Sequence, residues 1–171
     1  VQVRAQDASV FGTGPVRLLN GAALYNMNAE KLEIENQIVF GDSAWAASQD
    51  SKILRLHGLS ADSANKAVMF GRANAGASTI ELALEDAKTA PINVVQLRGN
   101  CKLMVDGGVL KAAGTATGDF FDNVGSASPT VSVAPSGFTF FAEEGADVMF
   151  GDAIPVTWLP ACEQTNIIEV A

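Results

Sequence analysis

LRGNCKLMVDGGVLKAAGTATGDFFDNVGSASP, residues Leu97 to Pro129, places six glycines around one short apolar strand. This strand carries Leu103, Val105 and Val109, which we expect to face the protein core. Glycine adopts positive φ at little steric cost, so Gly107-Gly108 predicts a sharp reversal of the chain. Strands that reverse this tightly favour a closed β-barrel.

Two acidic residues and a further glycine complete the turns of this segment. Gly114 predicts a second reversal. Asp106 and Asp119 lie beside the glycines, where an aspartate commonly accepts hydrogen bonds from nearby backbone N–H groups. The segment contains no histidine and no obvious nucleophile, so these residues predict structure and not chemistry.

Alternation of apolar and polar residues with a period of two extends over much of the remaining chain. It is clearest in KLEIEN (31–36), KILRLHG (52–58) and STIELALED (78–86), and each predicts a strand with one face in the core. NVVQLRG (93–99) and CKLMVDGG (101–108) predict two further strands joined by a tight turn at Gly99-Asn100.

Helix signals are few: a short helix is predicted from Asn20, and one or two helical turns after Ser60. The fold class is therefore all-β (mostly β), with a compact β-barrel or sandwich of short strands and an extended N-terminal arm as the expected architecture. No internal repeat of fixed period is visible, which argues against a solenoid.

The start of the chain differs from the rest and predicts the domain organisation. Residues 1–22 show little continuing periodicity and are interpreted as an N-terminal arm, with a frayed end or an edge strand as the alternative. Residues 23–171 are expected to form a single β domain. The apolar residues of the arm are candidates for contact with a neighbouring subunit, namely Val1, Val3, Val10 and Phe11.

Composition limits the classes of partner. The 171 residues include 11 Lys and Arg against 19 Asp and Glu, which gives a formal charge of −8. Such a surface repels nucleic acid and anionic membranes. Charged residues form only 18% of the chain, which leaves two interpretations open: an ordinary Ala- and Gly-rich β domain, or a subunit of a larger assembly.

Catalytic patterns are absent from the sequence. The one histidine, His57, lies in a strand pattern, and no G-x-S-x-G motif is present. Acidic residues gather in turns at Asp119 and Asp122 and again at Glu143 and Glu144, where glycoside hydrolysis or a bound calcium ion are alternatives to simple solvation. We predict that the protein is not an enzyme and has no catalytic, cofactor-binding or metal-binding residues.

Cysteines and aromatic residues add little chemistry. Cys101 and Cys162 fit no metal-binding spacing, and either two buried thiols or a disulfide is compatible with their positions. Trp45 stands alone in the sequence and Tyr25 lies in the possible helix. The aromatic residues therefore predict a core or an interface, and not a platform for sugar binding.

The segment 92–160 resembles the small β-barrel capsid decoration, or cement, proteins of tailed bacteriophages. The order is an apolar strand ending in QLRG, a strand running into Asp-Gly-Gly, a turn with TGDFF, then GFTFFAEEGADVMFGDAIPV and a closing strand. Gly118-Asp119 and Gly151-Asp152 stand at the two Gly-Asp positions of that pattern, and Ile154-Pro155-Val156 stands at the closing strand.

The resemblance implies a structural virion protein. Such proteins are typically homotrimers on the outer capsid surface that bind the major capsid protein and stabilise contacts between its subunits, often through an N-terminal arm. Phe121, Phe141 and Trp158 are then candidates for subunit packing. Neither nucleic acid nor membrane is an expected partner.

Three other functions stay open at the level of sequence. The first is a trimeric receptor- or carbohydrate-binding β head of a phage fibre or spike. The second is a glycan-degrading enzyme that uses paired Asp or Glu residues, and the third is a cellular β-barrel binding module.

Overall fold

The computed structural model describes residues 2–5, 7–73, 76–134, 136–159 and 167–170, and of residues 2–5 and 167–169 it describes the backbone alone. The regular secondary structure of the described part is almost entirely β-strand, which confirms the predicted mostly-β fold class. The architecture is a parallel β-solenoid, because every strand pair within its sheets is parallel. The expected barrel or sandwich is therefore wrong, and so is the argument against a solenoid.

The elements follow one another at short intervals along the chain. The strands are β1 (Gln2–Ala5), β2 (Val16–Leu18), β3 (Ala23–Asn26), β4 (Lys31–Phe40), β5 (Trp45–Ser48), β6 (Ile53–Ala61), β7 (Ala67–Phe70), β8 (Thr79–Leu84), β9 (Val94–Leu97), β10 (Lys102–Ala112), β11 (Thr117–Asp119), β12 (Phe121–Asn123), β13 (Thr130–Val133), β14 (Thr139–Ala142), β15 (Asp147–Met149), β16 (Val156–Trp158) and β17 (Ile167–Val170). Two short 3₁₀ turns lie at Ala8–Phe11 and Asp86–Lys88.

Each coil has three straight sides, which we call faces 1, 2 and 3. Face 1 is the six-stranded sheet β1-β3-β5-β7-β9-β12. Face 2 contains the first halves of β4, β6 and β10 together with β8, β13 and β16, and face 3 contains their second halves together with β2, β14 and β17. The long strands turn the corner between faces 2 and 3. A small extra pair, β11 with β15, lies between faces 3 and 1 in the chain order.

The core is built from columns of in-register apolar side chains. On face 2 one column runs through Leu32, Leu54, Ile80, Leu103 and Val131, and the neighbouring column through Ile34, Leu56, Leu82, Val105 and Val133. All ten are buried. On face 2 the period-two alternation in the sequence therefore identified the inward faces correctly, and Leu103 and Val105 face the core as predicted. The prediction for Val109 is wrong, because beyond the Gly107-Gly108 pair Leu110 is the buried residue.

The Gly107-Gly108 pair forms a bulge and not the reversal of a hairpin. β10 has one residue more than β8 between the pairs Val105–Leu82 and Gly108–Leu84, so the strand bends here from face 2 to face 3. β4 contains an equivalent irregularity between Ile34 and Gln37. In both strands the extra residue turns the corner without ending the strand.

Buried polar side chains complete another corner. The Asn26 amide donates to the carbonyl oxygens of Ala29 at 2.9 Å and Ile53 at 2.8 Å. Its register partner Ser48 donates to the Lys52 carbonyl at 2.8 Å and accepts from the Thr79 N–H at 2.9 Å. These contacts satisfy backbone groups that a tight corner leaves outside the sheet ladders.

Three local predictions are corrected by this arrangement. The strands flanking Gly99-Asn100, β9 and β10, do not pair with each other, because they lie in different sheets. The helix predicted from Asn20 is replaced by strand β3, and the segment after Ser60 continues strand β6 and then leads to strand β7. Neighbouring coils satisfy these backbone groups through parallel pairing, which overrides the weak local helix signals.

The segment 1–22 contributes two strands to the solenoid. β1 pairs with β3, and β2 pairs with the second half of β4. The segment 92–160, which carries the resemblance to decoration proteins, spans consecutive coils that continue the same sheets. Among the described residues, no helix is long and apolar enough to cross a membrane.

Candidate functional site

An ion-paired network covers the outer side of face 2 near its corner with face 3. Glu33, Arg55 and Glu81 are register partners on β4, β6 and β8 and therefore lie side by side. Arg55 reaches the carboxylates of Glu33 at 3.3 Å, Glu81 at 3.0 Å and Asp106 at 2.5 Å. The members of this charged network are Lys31, Glu33, Glu35, Arg55, His57, Glu81, Glu85, Lys88 and Asp106.

The hydrogen bonds of this network lower the pKa of two carboxylates. Arg55, together with a hydrogen bond from the Ser136 hydroxyl at 2.7 Å, holds the pKa of Asp106 below its usual value. The hydrogen bond with His57 lowers the pKa of Glu33. Asp106 was predicted as a turn former; it serves instead as an ion-pair partner across the strands.

His57 is surrounded by carboxylates. Its Nε2 lies 2.6 Å from Glu33 and 3.8 Å from Glu35, and its Nδ1 lies 3.7 Å from Glu85. Among the described residues, the hydrogen-bond and ion-pair partners of His57 are carboxylates, and none is a hydroxyl or thiol that a catalytic base would activate.

His57, Glu33 and Glu35 are also the one described group that could hold a metal ion, with ligand atoms within 4.8 Å of one another. Imidazole and carboxylate together suit zinc or another transition metal. Both carboxylates are already engaged by cations, since Glu33 contacts Arg55 and Glu35 contacts Lys88 at 3.8 Å. The arrangement is accounted for as part of the charged network.

Two residues of the acidic turns accept hydrogen bonds from backbone N–H groups. The Glu143 carboxylate accepts a hydrogen bond from the Gly114 N–H at 3.0 Å, and Asp119 accepts one from the Ala153 N–H at 3.3 Å. In each case the acid joins its turn to an adjacent coil. Asp119 therefore accepts a backbone hydrogen bond as predicted, although the donor comes from the following coil.

The predicted contact residues of the N-terminal segment lie in different environments. Val10 has 68% of its surface exposed, whereas Phe11 is partly buried against the core. Val1 lies outside the described residues, and only the backbone of Val3 is described, within β1.

The three residues predicted for subunit packing also separate. Phe121 is buried in the core of its own chain beside Phe120 and Phe150, so it is not on a surface that another subunit could contact. Phe141 is half-buried on β14. Trp158 is 51% exposed and stacks on Phe138 with ring centroids 6.1 Å apart.

Trp158 is exposed for a reason that lies in the register. It pairs with Val133, which makes it the next member of a core column on face 2. No described strand lies beyond β16 on this face. A side chain in an inward position is therefore half exposed, and Met149 and Phe150 of the same last coils are exposed as well. This part of the solenoid presents an apolar surface, which we call the end patch.

A second feature lies on face 1, where Tyr25 is buried and Trp45, Arg72 and Arg98 are partly buried. The Arg72 guanidinium carbon is 4.8 Å from the centre of the Tyr25 ring, and Arg98 has the same distance to the Trp45 ring. The two rings lie 6.4 Å apart in an edge arrangement. We call these four residues the arginine–aromatic patch. Sequence reasoning missed it, because its members come from four different coils.

A groove of about 420 Å³ with a mixed polar and apolar lining lies between the N-terminal segment and the second 3₁₀ turn. Asn36 in its wall is held by hydrogen bonds to the carbonyl oxygens of Gly12 at 3.0 Å and Gly14 at 2.6 Å. Lys88 and Glu35 line the same groove and belong to the charged network. Its described wall residues include no aromatic ring.

Cys101 is buried and free, and burial raises the pKa of its thiol to about 12, so the thiol is protonated and unreactive. Cys162 lies outside the described residues.

The chain matches no protein family model, and no curated protein or solved structure is significantly similar to it.

Proposed function

We propose that this chain is a structural protein of a tailed-phage virion that acts by surface contact and not by catalysis, as a homotrimeric segment of a receptor-binding fibre or spike. A solenoid supports this function better than it supports capsid decoration by a compact barrel. Each coil contacts only its neighbours, so the stack forms an extended, stiff body. The chemistry of the described surface is also that of contact, since His57 and the acidic turns are engaged in structural hydrogen bonds and ion pairs.

The observation that carries the proposal is the end patch. Burying Trp158 against another chain would extend an apolar column that already runs through the solenoid. Large aromatic side chains of this kind contribute most of the energy at protein interfaces. The predicted role of Trp158 in subunit packing fits this surface.

A sedimentation measurement tests the proposal. We expect the protein to sediment as a trimer, and we expect Trp158→Ser to weaken association at least about tenfold, because hot-spot aromatics contribute about 2 kcal/mol or more. Thr157→Ala is the matched control, since Thr157 is exposed on the same strand and points to the opposite side. A wild-type monomer, or equal association of both variants, would contradict the proposal.

Capsid decoration is the second candidate. It is supported by the resemblance of segment 92–160 and by the exposed Val10 in the N-terminal segment. In this role the protein would bind the major capsid protein on the outer capsid surface and hold neighbouring subunits together by several simultaneous contacts. Co-sedimentation with undecorated capsid shells tests this role. Binding of the wild type that is lost in Val10→Asp supports decoration, and a wild-type protein that does not co-sediment with the shells rules it out.

A further inference from the structure

The two arginines of the arginine–aromatic patch differ from Arg17 and Arg55, the other arginines whose side chains the structure describes. Arg17 pairs with Asp62, Arg55 with three carboxylates, and Lys111 with Asp86. Arg72 and Arg98 make no ion pair with any carboxylate in the described part of the chain. In a chain with a net charge of −8, two neighbouring guanidinium groups without an acidic partner are an unusual concentration of positive charge.

Both side chains are held in place by neutral groups. Arg72 donates to the Tyr25 hydroxyl at 2.8 Å while it lies over the Tyr25 ring. Arg98 donates through Nε to the Gly71 carbonyl at 3.0 Å while it lies over the Trp45 ring. Stacking on an aromatic ring fixes the plane of a guanidinium, and each group keeps further N–H donors for a ligand.

The backbone brings the two arginines to one place. Phe70 pairs with Leu97, so the next residues, Gly71 and Arg98, lie side by side after the adjacent strands β7 and β9 of face 1. Tyr25 lies on β3 of the same sheet, where it pairs with Ala47. A Cβ atom on Gly71 would lie 2.2 Å from the Arg98 carbonyl oxygen, so this position excludes every side chain. Arg98 is also partly withdrawn from water, and this desolvation lowers its pKa. Reduced hydration strengthens the attraction of a guanidinium for a bound anion.

We propose that the arginine–aromatic patch binds the carboxylate of an acidic sugar, as the receptor-recognition site of this surface. A guanidinium matches a carboxylate through two parallel hydrogen bonds, and both guanidinium groups are held on neighbouring rings with centroids 6.4 Å apart. The ligand carries one or few charges, because the net negative charge of the protein repels a polyanion at a distance. This inference rests on the fibre or spike function proposed above.

Isothermal titration with matched sugars tests the inference. We expect 3′-sialyllactose or a glucuronate-containing disaccharide to bind and lactose not to bind, because lactose lacks the carboxylate. Arg72→Gln and Arg98→Gln should each weaken binding at least about tenfold, the effect of losing one charge-assisted contact. Arg17→Gln is the control, since Arg17 is an exposed arginine that pairs with Asp62 elsewhere.

Several outcomes would overturn it. The inference is wrong if the wild type binds neither acidic sugar, or if it binds lactose as tightly as 3′-sialyllactose. It is also wrong if Arg17→Gln weakens sugar binding as much as the patch variants do. Arg98→Lys keeps the positive charge and separates an effect on sugar binding from an effect on folding. A circular dichroism spectrum like that of the wild type together with weaker sugar binding supports a bidentate contact by Arg98. Trimer formation through Trp158 is measured separately, so a wild-type trimer that binds neither acidic sugar refutes this inference and leaves the proposed structural function standing.

Discussion

At the scale of single residues, two adjacent glycines have different structural requirements. Gly107 and Gly108 both have positive φ, 88° and 83°. A Cβ on Gly107 would have its nearest neighbour at 3.7 Å, whereas a Cβ on Gly108 would lie 1.9 Å from the Leu84 carbonyl oxygen. Gly107 is therefore required for its dihedral angle alone, and Gly108 also because the neighbouring strand leaves no space.

Alanine substitutions separate these two requirements. We expect Gly107→Ala to lower the free energy of unfolding by about 1–2 kcal/mol, the cost of a left-handed dihedral for an L-residue. We expect Gly108→Ala to cost about 2–5 kcal/mol, because overpacking adds about 1–3 kcal/mol to the same dihedral cost of about 1–2 kcal/mol. Urea denaturation measures both values. Equal losses would mean that β8 and β10 move apart freely at the bulge.

At the scale of elements, the charged network joins strands that are far apart in sequence. Arg55 on β6 contacts acidic residues of β4, β8 and β10, so one side chain ties four coils together. Its side chain is 18% exposed and that of Glu81 is 8% exposed. Such partly buried pairs contribute more than exposed ones, because removing one partner leaves the other charges poorly solvated.

Replacing Arg55 should change the dependence of stability on pH. We expect Arg55→Met to lose about 2 kcal/mol near neutral pH. The folded pKa of Asp106 is lowered, so its contribution is complete above the unfolded pKa of about 4 and disappears as the pH falls through the folded value. The difference between wild type and variant should therefore shrink on acidification below about pH 4.

Chemical denaturation at a series of pH values measures this difference. Arg17→Met is the control, because the side chains of Arg17 and Asp62 are both exposed and their ion pair should contribute less than about 1 kcal/mol to the free energy of unfolding. A difference between wild type and Arg55→Met that stays constant down to pH 3 would show that Arg55 acts through packing alone.

At the scale of the whole molecule, a solenoid is held together by contacts between neighbouring coils. Leu32 and Leu54 are register partners in one core column. Leu54 has a register partner on both sides, Leu32 and Ile80. Leu32 lies on the first described strand of face 2 and has a register partner on one side, Leu54. Stability in such a stack is a sum of local terms and interfaces between neighbours, and not the property of one central core.

Hydrogen exchange distinguishes these two positions. We expect Leu54→Ala to cost about 3–5 kcal/mol and Leu32→Ala about 2–3 kcal/mol, since a side chain packed on both sides leaves the larger cavity. Leu32→Ala should speed amide exchange in β4 and its neighbours and leave β13 and β14 protected. Faster exchange throughout the chain in Leu32→Ala would instead indicate a single cooperative unit.

The amino-acid sequence by itself determined the strands of face 2 and their inward faces, because alternation with a period of two reflects local geometry and depends on no distant contact. It also determined that the protein is acidic and that its one histidine has no catalytic motif around it. The residues of β4, β6 and β8 are the clearest example, since their alternating apolar positions are the buried columns of face 2.

Only the tertiary structure decided how the strands are arranged. Gln2 pairs with Ala23, 21 residues on, whereas Val109 pairs with Thr139, 30 residues on, so the coils have unequal lengths and no fixed period marks them in the sequence. The same uneven spacing concealed the arginine–aromatic patch, whose residues become neighbours only through the stacking of coils. A strand pattern fixes which side chains point inward, but the choice between barrel and solenoid depends on which distant strands satisfy one another's backbone hydrogen bonds.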